Sequence, residues 1–346
     1  MPRRVLFVIR GKLGDTVVAY ATVRRYADLF PADKVTLLTR SNYAGLLSRE
    51  KGVRVIGFSS RLEMIWRLLR FLTEPKFDAL LVIWGFGTPI KWLGRLVRAR
   101  RKIYLDDRYP RIYPEYSNLS PHRLQSEPMW RVAQIFEPAL SPPVRLYIPS
   151  LAEKRRPGAM AIGIVPVADE PRRIMSPAML TVLLRVAARR HPAAPIRVFV
   201  NHRDRGAQEL LDVGLPAGVE FTFFPNLDDL ILAFLELTHI YCTDTGLYAL
   251  GAAMDIPATV FYGPTQPWRN VMPGQPGVRS VRLAVLGGEH CEEKECEVPV
   301  CLDGAIRAFG REDPISAIIG PPAGCPLRIF PVERLCEINQ HENPDH

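Results

Sequence analysis

The sequence predicts an α/β protein of two doubly wound, parallel-sheet domains, on three observations. Strand-like and helix-like segments alternate in two series. A stretch rich in proline, tyrosine and arginine, residues 106–158, separates the series. A chain of 346 residues is long for one core and ordinary for two. Alternating strands and helices give a parallel sheet covered on both faces. The expected domains are residues 1–150 and 151–346, with Pro142 to Pro157 as the linker.

The first series opens with Arg4 to Arg10 (RVLFVIR), a buried strand, and a glycine turn, Gly11-Lys12-Leu13-Gly14-Asp15. Thr16 to Phe30 then has helical apolar periodicity. Strands follow at Lys34 to Thr39, Arg54 to Phe58 and Ala79 to Ile83, with a helix at Arg61 to Leu72. The second series has strands at Ala161 to Val165 (AIGIV), Ile196 to Val200 and Val219 to Phe224. It ends in two further strands, His239 to Cys242 and Pro257 to Phe261. After about Leu283 the tail reads as irregular and cysteine-bearing.

Composition narrows the class. With 47% hydrophobic residues and mixed charge the chain is globular rather than disordered. It shows no basic start followed by an apolar run and a small-residue cleavage site, and no stretch near 18 apolar residues, so a soluble cytoplasmic protein is expected.

Two turns carry the chemistry. Thr243-Asp244-Thr245-Gly246 lies between a strand and a run of small apolar residues that reads as a helix. A small-residue turn there presents free backbone N–H groups and the positive end of the helix dipole to an anion, the requirement of a nucleotide-diphosphate cradle. Asp244 or Thr245 would cap the helix, and Gly246 lets a phosphate approach. A capped helix with no ligand has the same local sequence. The following loop, Tyr262-Gly263-Pro264-Thr265-Gln266-Pro267, leaves the same sheet edge and tips the balance toward the cradle. Asp15 stands where a strand end opens into a crevice, the place ligands bind in open α/β sheets, or else is a plain N-cap. The Gly11 turn has neither the dinucleotide nor the P-loop spacing.

Together, VLFVIRGKLGDTVVAYATVRR and DTGLYALGAAM…PATVFYGPTQP resemble the ADP-heptose:lipopolysaccharide heptosyltransferase family, glycosyltransferase family 9. Motif order and separation also agree, so the resemblance spans most of the chain. It implies the GT-B architecture, two Rossmann-like domains facing one another across a cleft. The nucleotide-sugar donor would sit on the C-terminal domain and the acceptor, a phosphorylated glycolipid or a protein, on the N-terminal one. It further implies an inverting transfer without a catalytic metal, in which Asp15 deprotonates the acceptor hydroxyl. Asp244, Thr245, Gly246, Leu247, Thr265 and Gly14 are the expected donor contacts.

The sequence departs from the family pattern in two places. The family's loop hydroxyls are absent from Pro166 to Arg173, and Arg173, or Arg172, occupies the place of a lysine thought to pair with the donor phosphates. A guanidinium clamps a diphosphate with two parallel bonds. Tyr248-Ala249 stands where relatives commonly carry a histidine. A non-catalytic nucleotide-binding partner or scaffold of the same fold is the alternative these losses raise.

The formal charge is +9, and Ile90 to Leu105 (IKWLGRLVRARRKIYL) interleaves cations with apolar residues. Such a segment suits peripheral contact with an anionic inner membrane, or is an ordinary solvated face. Nucleic-acid binding is not expected, since no stacking platform or reader motif is present. Of six cysteines, Cys242 reads as core and Cys336 as helix packing. Cys291, Cys296, Cys301 and Cys325 would hold a structural zinc or iron, with His290 a substitute ligand, or remain reduced.

Overall fold

The computed structural model describes residues 2–117, 126–155, 158, 160–201, 206–263, 272, 274–283, 300–311 and 335–338. The chain divides into two compact units, Met1–Glu153 and Lys154–His346.

In the first unit, β1 (Arg4–Ile9), β2 (Lys34–Arg40), β3 (Val53–Phe58), β4 (Phe77–Trp84), β5 (Ala99–Tyr104) and β6 (Glu115–Tyr116) form a parallel sheet in the order β3-β2-β1-β4-β5-β6. The inner strands are apolar on both faces, Val5 to Ile9 and Ala79 to Ile83 being almost wholly buried. Helices α1 (Leu13–Leu29), α2 (Ser41–Leu47), α3 (Arg61–Thr73) and α4 (Thr88–Leu96) connect them. The strand order reverses between β1 and β4, so the Gly11 turn lies at the switch point.

The second unit repeats the plan. β7 (Ala161–Val165), β8 (Ile196–Phe199), β9 (Val219–Thr222), β10 (Leu237–Thr243), β11 (Ala258–Tyr262) and β12 (Val278–Leu283) are parallel, and β13 (Leu335–Ile338) adds an antiparallel edge. The order is β13-β12-β11-β10-β7-β8-β9, which puts the switch between β7 and β10. Helices α7 (Pro177–Arg190), α8 (Ala207–Leu211), α9 (Leu227–Phe234) and α10 (Gly246–Ala253) join the strands, and α11 (Val300–Arg311) follows β12.

The stretch 106–158 that separates the series holds elements of its own: β6, α5 (Glu127–Phe136) and α6 (Pro149–Ala152) lie there, and prolines occupy the first turns of both helices, where no N–H is missed. Three expectations change. Ile90 to Leu105 is not one amphipathic segment. It is α4 followed by β5, whose cations are bound locally: the Arg101 guanidinium pairs with Glu115, and Lys102 Nζ donates to the Gly94 carbonyl at 2.5 Å. The tail is not wholly irregular, since α11 packs against α7 and β12. Cys336 sits on strand β13 opposite Arg282 rather than on a helix, because β12 would otherwise leave an unpaired edge.

Candidate functional site

At the switch point of the second unit two connections meet. The loop after β7 closes by a hydrogen bond from Met175 N–H to the Pro166 carbonyl at 2.8 Å, and holds a short 3-10 turn, Pro171–Arg173. The connection after β10 is the turn Asp244-Thr245, which opens α10. Thr245 takes the N-cap position in extended conformation, without a capping hydrogen bond from its own side chain. The half-buried residues Thr245, Gly246 and Leu247 thus begin a helix whose first amides lie at the positive end of its dipole.

Arg173 joins the two connections. Its guanidinium lies 3.2 Å from the buried carboxylate of Asp244 and 3.2 Å from Glu170. Glu170 also accepts from Arg172 at 2.8 Å, and Arg172 is 6% exposed. Of the two candidate arginines, Arg173 is therefore the one that reaches the turn, and Arg172 braces the loop from beneath. The Arg173–Asp244 ion pair thus sits beside a helix N-terminus at the ends of β7 and β10, the kind of helix end whose amides and dipole can receive an anion.

Behind the turn the packing is polar but closed. Tyr248 and Cys242 are buried, and burial with the neighbouring Asp244 pushes both groups' pKa upward. Tyr248 thus packs inside the unit. Thr265 lies outside the described residues.

In the first unit, Asp15 is the third residue of α1, not its N-cap, which is Lys12. Its Oδ2 accepts the Lys12 N–H at 3.1 Å, anchoring the carboxylate over the turn. Gly11 makes room for it: a Cβ there would lie 2.5 Å from Asp15 Cβ and 2.6 Å from Trp84 Cδ1. Gly14 lies in the first turn of α1, in this unit and not with Asp244 and Arg173. A cavity of about 270 Å³ opens over the ends of β2 and β3, lined by Arg10, Arg40, Asn42, Ser59 and Ser60 among others. These residues escape a sequence reading because they come from three distant strand ends; their one shared signal is position just after an apolar strand.

Among the described residues no three His, Cys, Asp or Glu side chains could hold a metal ion. Cys291, Cys296, Cys325 and His290 lie outside the described residues. Cys301 is on α11, with its side chain outside the description.

No protein-family model and no curated protein matches the sequence. Solved structures do match the fold. A glycosyl transferase family 9 protein from Veillonella parvula is similar at a TM-score of 0.71 and 11% identity, over 90% of this chain and 98% of its own. This is the fold of the family 9 glycosyltransferases. E. coli heptosyltransferase WaaC, with ADP-2-deoxy-2-fluoro heptose, matches at 0.64 and 19% identity, over 89% of this chain and 99% of its own. The dodecameric, iron-containing glycosyltransferase TibC of enterotoxigenic E. coli matches at 0.51 and 12% identity, over 89% and 78%.

Proposed function

We propose that this chain is an inverting glycosyltransferase that moves a heptose or related sugar from an ADP-sugar to a hydroxyl of a lipopolysaccharide core or a protein. The observation that carries the reading is the Arg173 guanidinium held beside Asp244 and the N-terminus of α10, at the switch point of the second sheet. Residues 151–346 bind the donor and residues 1–150 the acceptor. The ADP-sugar analogue named with the E. coli heptosyltransferase supports ADP-heptose as the donor.

In the reaction, the Asp15 carboxylate takes the proton of the acceptor hydroxyl as its oxygen attacks the anomeric carbon. The bond to the diphosphate breaks on the opposite side, and its electron pair leaves on the β-phosphate oxygen. Arg173 and the first amides of α10, from Thr245, Gly246 and Leu247, stabilise that developing charge, so no metal is needed for the step. In the first unit, Arg10 and Arg40 at the cavity favour a phosphorylated acceptor. A structural zinc or iron on Cys291, Cys296, Cys301 and Cys325 belongs to the same reading: elemental analysis should find about one equivalent per chain, and a metal-free protein with unchanged melting overturns it.

The test is turnover. ADP release from ADP-heptose should depend on acceptor, and Asp15→Asn should lower kcat by roughly two orders of magnitude or more with nucleotide affinity nearly unchanged. Near-normal transfer by that variant contradicts the assignment of Asp15.

A further inference from the structure

Helix α3 buries one face and leaves an apolar one outside. Met64 and Phe71, two turns apart, point into the unit at 3% and 2% exposure. Leu62, Trp66 and Leu69 follow i, i+4, i+7 spacing on the opposite face, with Leu62 72% and Trp66 70% exposed. A solvated helix carries polar residues there. Helix α4 packs against α3 and adds a second exposed tryptophan, Trp92, with the Arg95 guanidinium 5.8 Å from the centre of its ring.

The net charge around this face is positive. Arg70, Lys91 and Arg95 are exposed. The nearby carboxylates are already engaged, Glu63 by Ser59 and Arg67, and Glu74 by Arg4 and Arg54. Exposed tryptophan and leucine ringed by cations match the interface of an anionic bilayer, where indoles lie at headgroup depth and cations meet lipid phosphates. A two-fold pairing of this face with a second copy would instead bring like cations together. No helix among the described residues is long and apolar enough to cross a membrane, so contact through this face is peripheral.

We propose that the outer faces of α3 and α4, through Leu62, Trp66, Leu69 and Trp92 with Arg70 and Arg95, dock this protein on an anionic lipid surface. This goes beyond the catalytic reading and needs no assumption about donor or reaction. It also moves the proposed membrane contact from the stretch Ile90 to Leu105, which is helix followed by the strand Ala99–Tyr104, to a surface built mainly on α3.

The experiment is sedimentation with vesicles of phosphatidylcholine containing about 30 mol % phosphatidylglycerol, against phosphatidylcholine alone. The wild-type chain should bind the anionic vesicles about ten-fold or more tightly than the neutral ones. L62S/W66S should lose about ten-fold or more of that binding, and R70E/K91E/R95E should lose the preference for anionic lipid. Both should keep the wild-type melting temperature, since the altered side chains face outward. Bromine-labelled lipid should quench the wild-type tryptophan emission, a readout that needs no variant. Equal binding to both vesicles, binding by L62S/W66S at the wild-type level, or no quenching overturns the proposal. So does light scattering that shows a wild-type dimer made monomeric by L62S/W66S, which would give the face to a second copy.

Discussion

Gly11 and Asp15 show how much one missing atom decides. The carboxylate of Asp15 rests on the Lys12 amide, and the space it occupies exists only because residue 11 has no Cβ. Gly11→Ala must push Asp15 or Trp84 aside, at a cost of about 1 to 3 kcal/mol of stability. Transfer should fall with it, because a base displaced by an ångström no longer meets the hydroxyl. Denaturant titration and kcat measure the two effects; an alanine variant with full stability and turnover would show that the crowding is relieved elsewhere. Arg172 and Arg173 make the complementary point. Adjacent and chemically alike, they are told apart only by burial and by Asp244, information that three-dimensional packing supplies and spacing does not.

At the scale of elements, the apolar strands β1, β4, β7 and β11 and the helix after each glycine-bearing turn are legible from the sequence, because burial on both faces leaves runs such as VLFVI and AIGIV. Strand β5, ARRKIY, is not, since its cations mimic a surface segment until Glu115 and the Gly94 carbonyl receive them. Helix α5 hides among prolines for a similar reason. Strand β10 contributes a test of its own. His239 is wedged against Tyr241 and stacked near His191, its Nε2 2.9 Å from Thr259 Oγ1. Burial first, then His191 and Arg190, lowers its pKa from 6.5 to about 4. The folded chain therefore keeps His239 neutral where the unfolded chain protonates it, and stability is lost as pH falls from 6.5 toward 4, by about 3 kcal/mol at most. Urea midpoints should fall over that window and fall less steeply in His239→Gln; parallel slopes would show that other groups carry the dependence.

Across the whole molecule the same strand order occurs twice, with the reversal falling beside β1 in one unit and between β7 and β10 in the other. Each reversal is where the proposed chemistry falls, at Asp15 in the first unit and at Arg173 with Asp244 in the second. That duplication was legible in the sequence as two strand-and-helix series and two strand-to-helix turns. The cavity of Arg10, Arg40 and Ser59 was not, because no local pattern records which strand ends become neighbours. The central claim, that the second unit's switch point is a diphosphate site, is tested most directly by calorimetric titration of the whole chain with ADP and with adenosine. The wild-type protein should bind ADP more tightly, and Arg173→Ala should weaken ADP by about 1.5 to 3 kcal/mol while leaving adenosine nearly unchanged. Equal losses for ADP and adenosine, or none for either, would contradict the account.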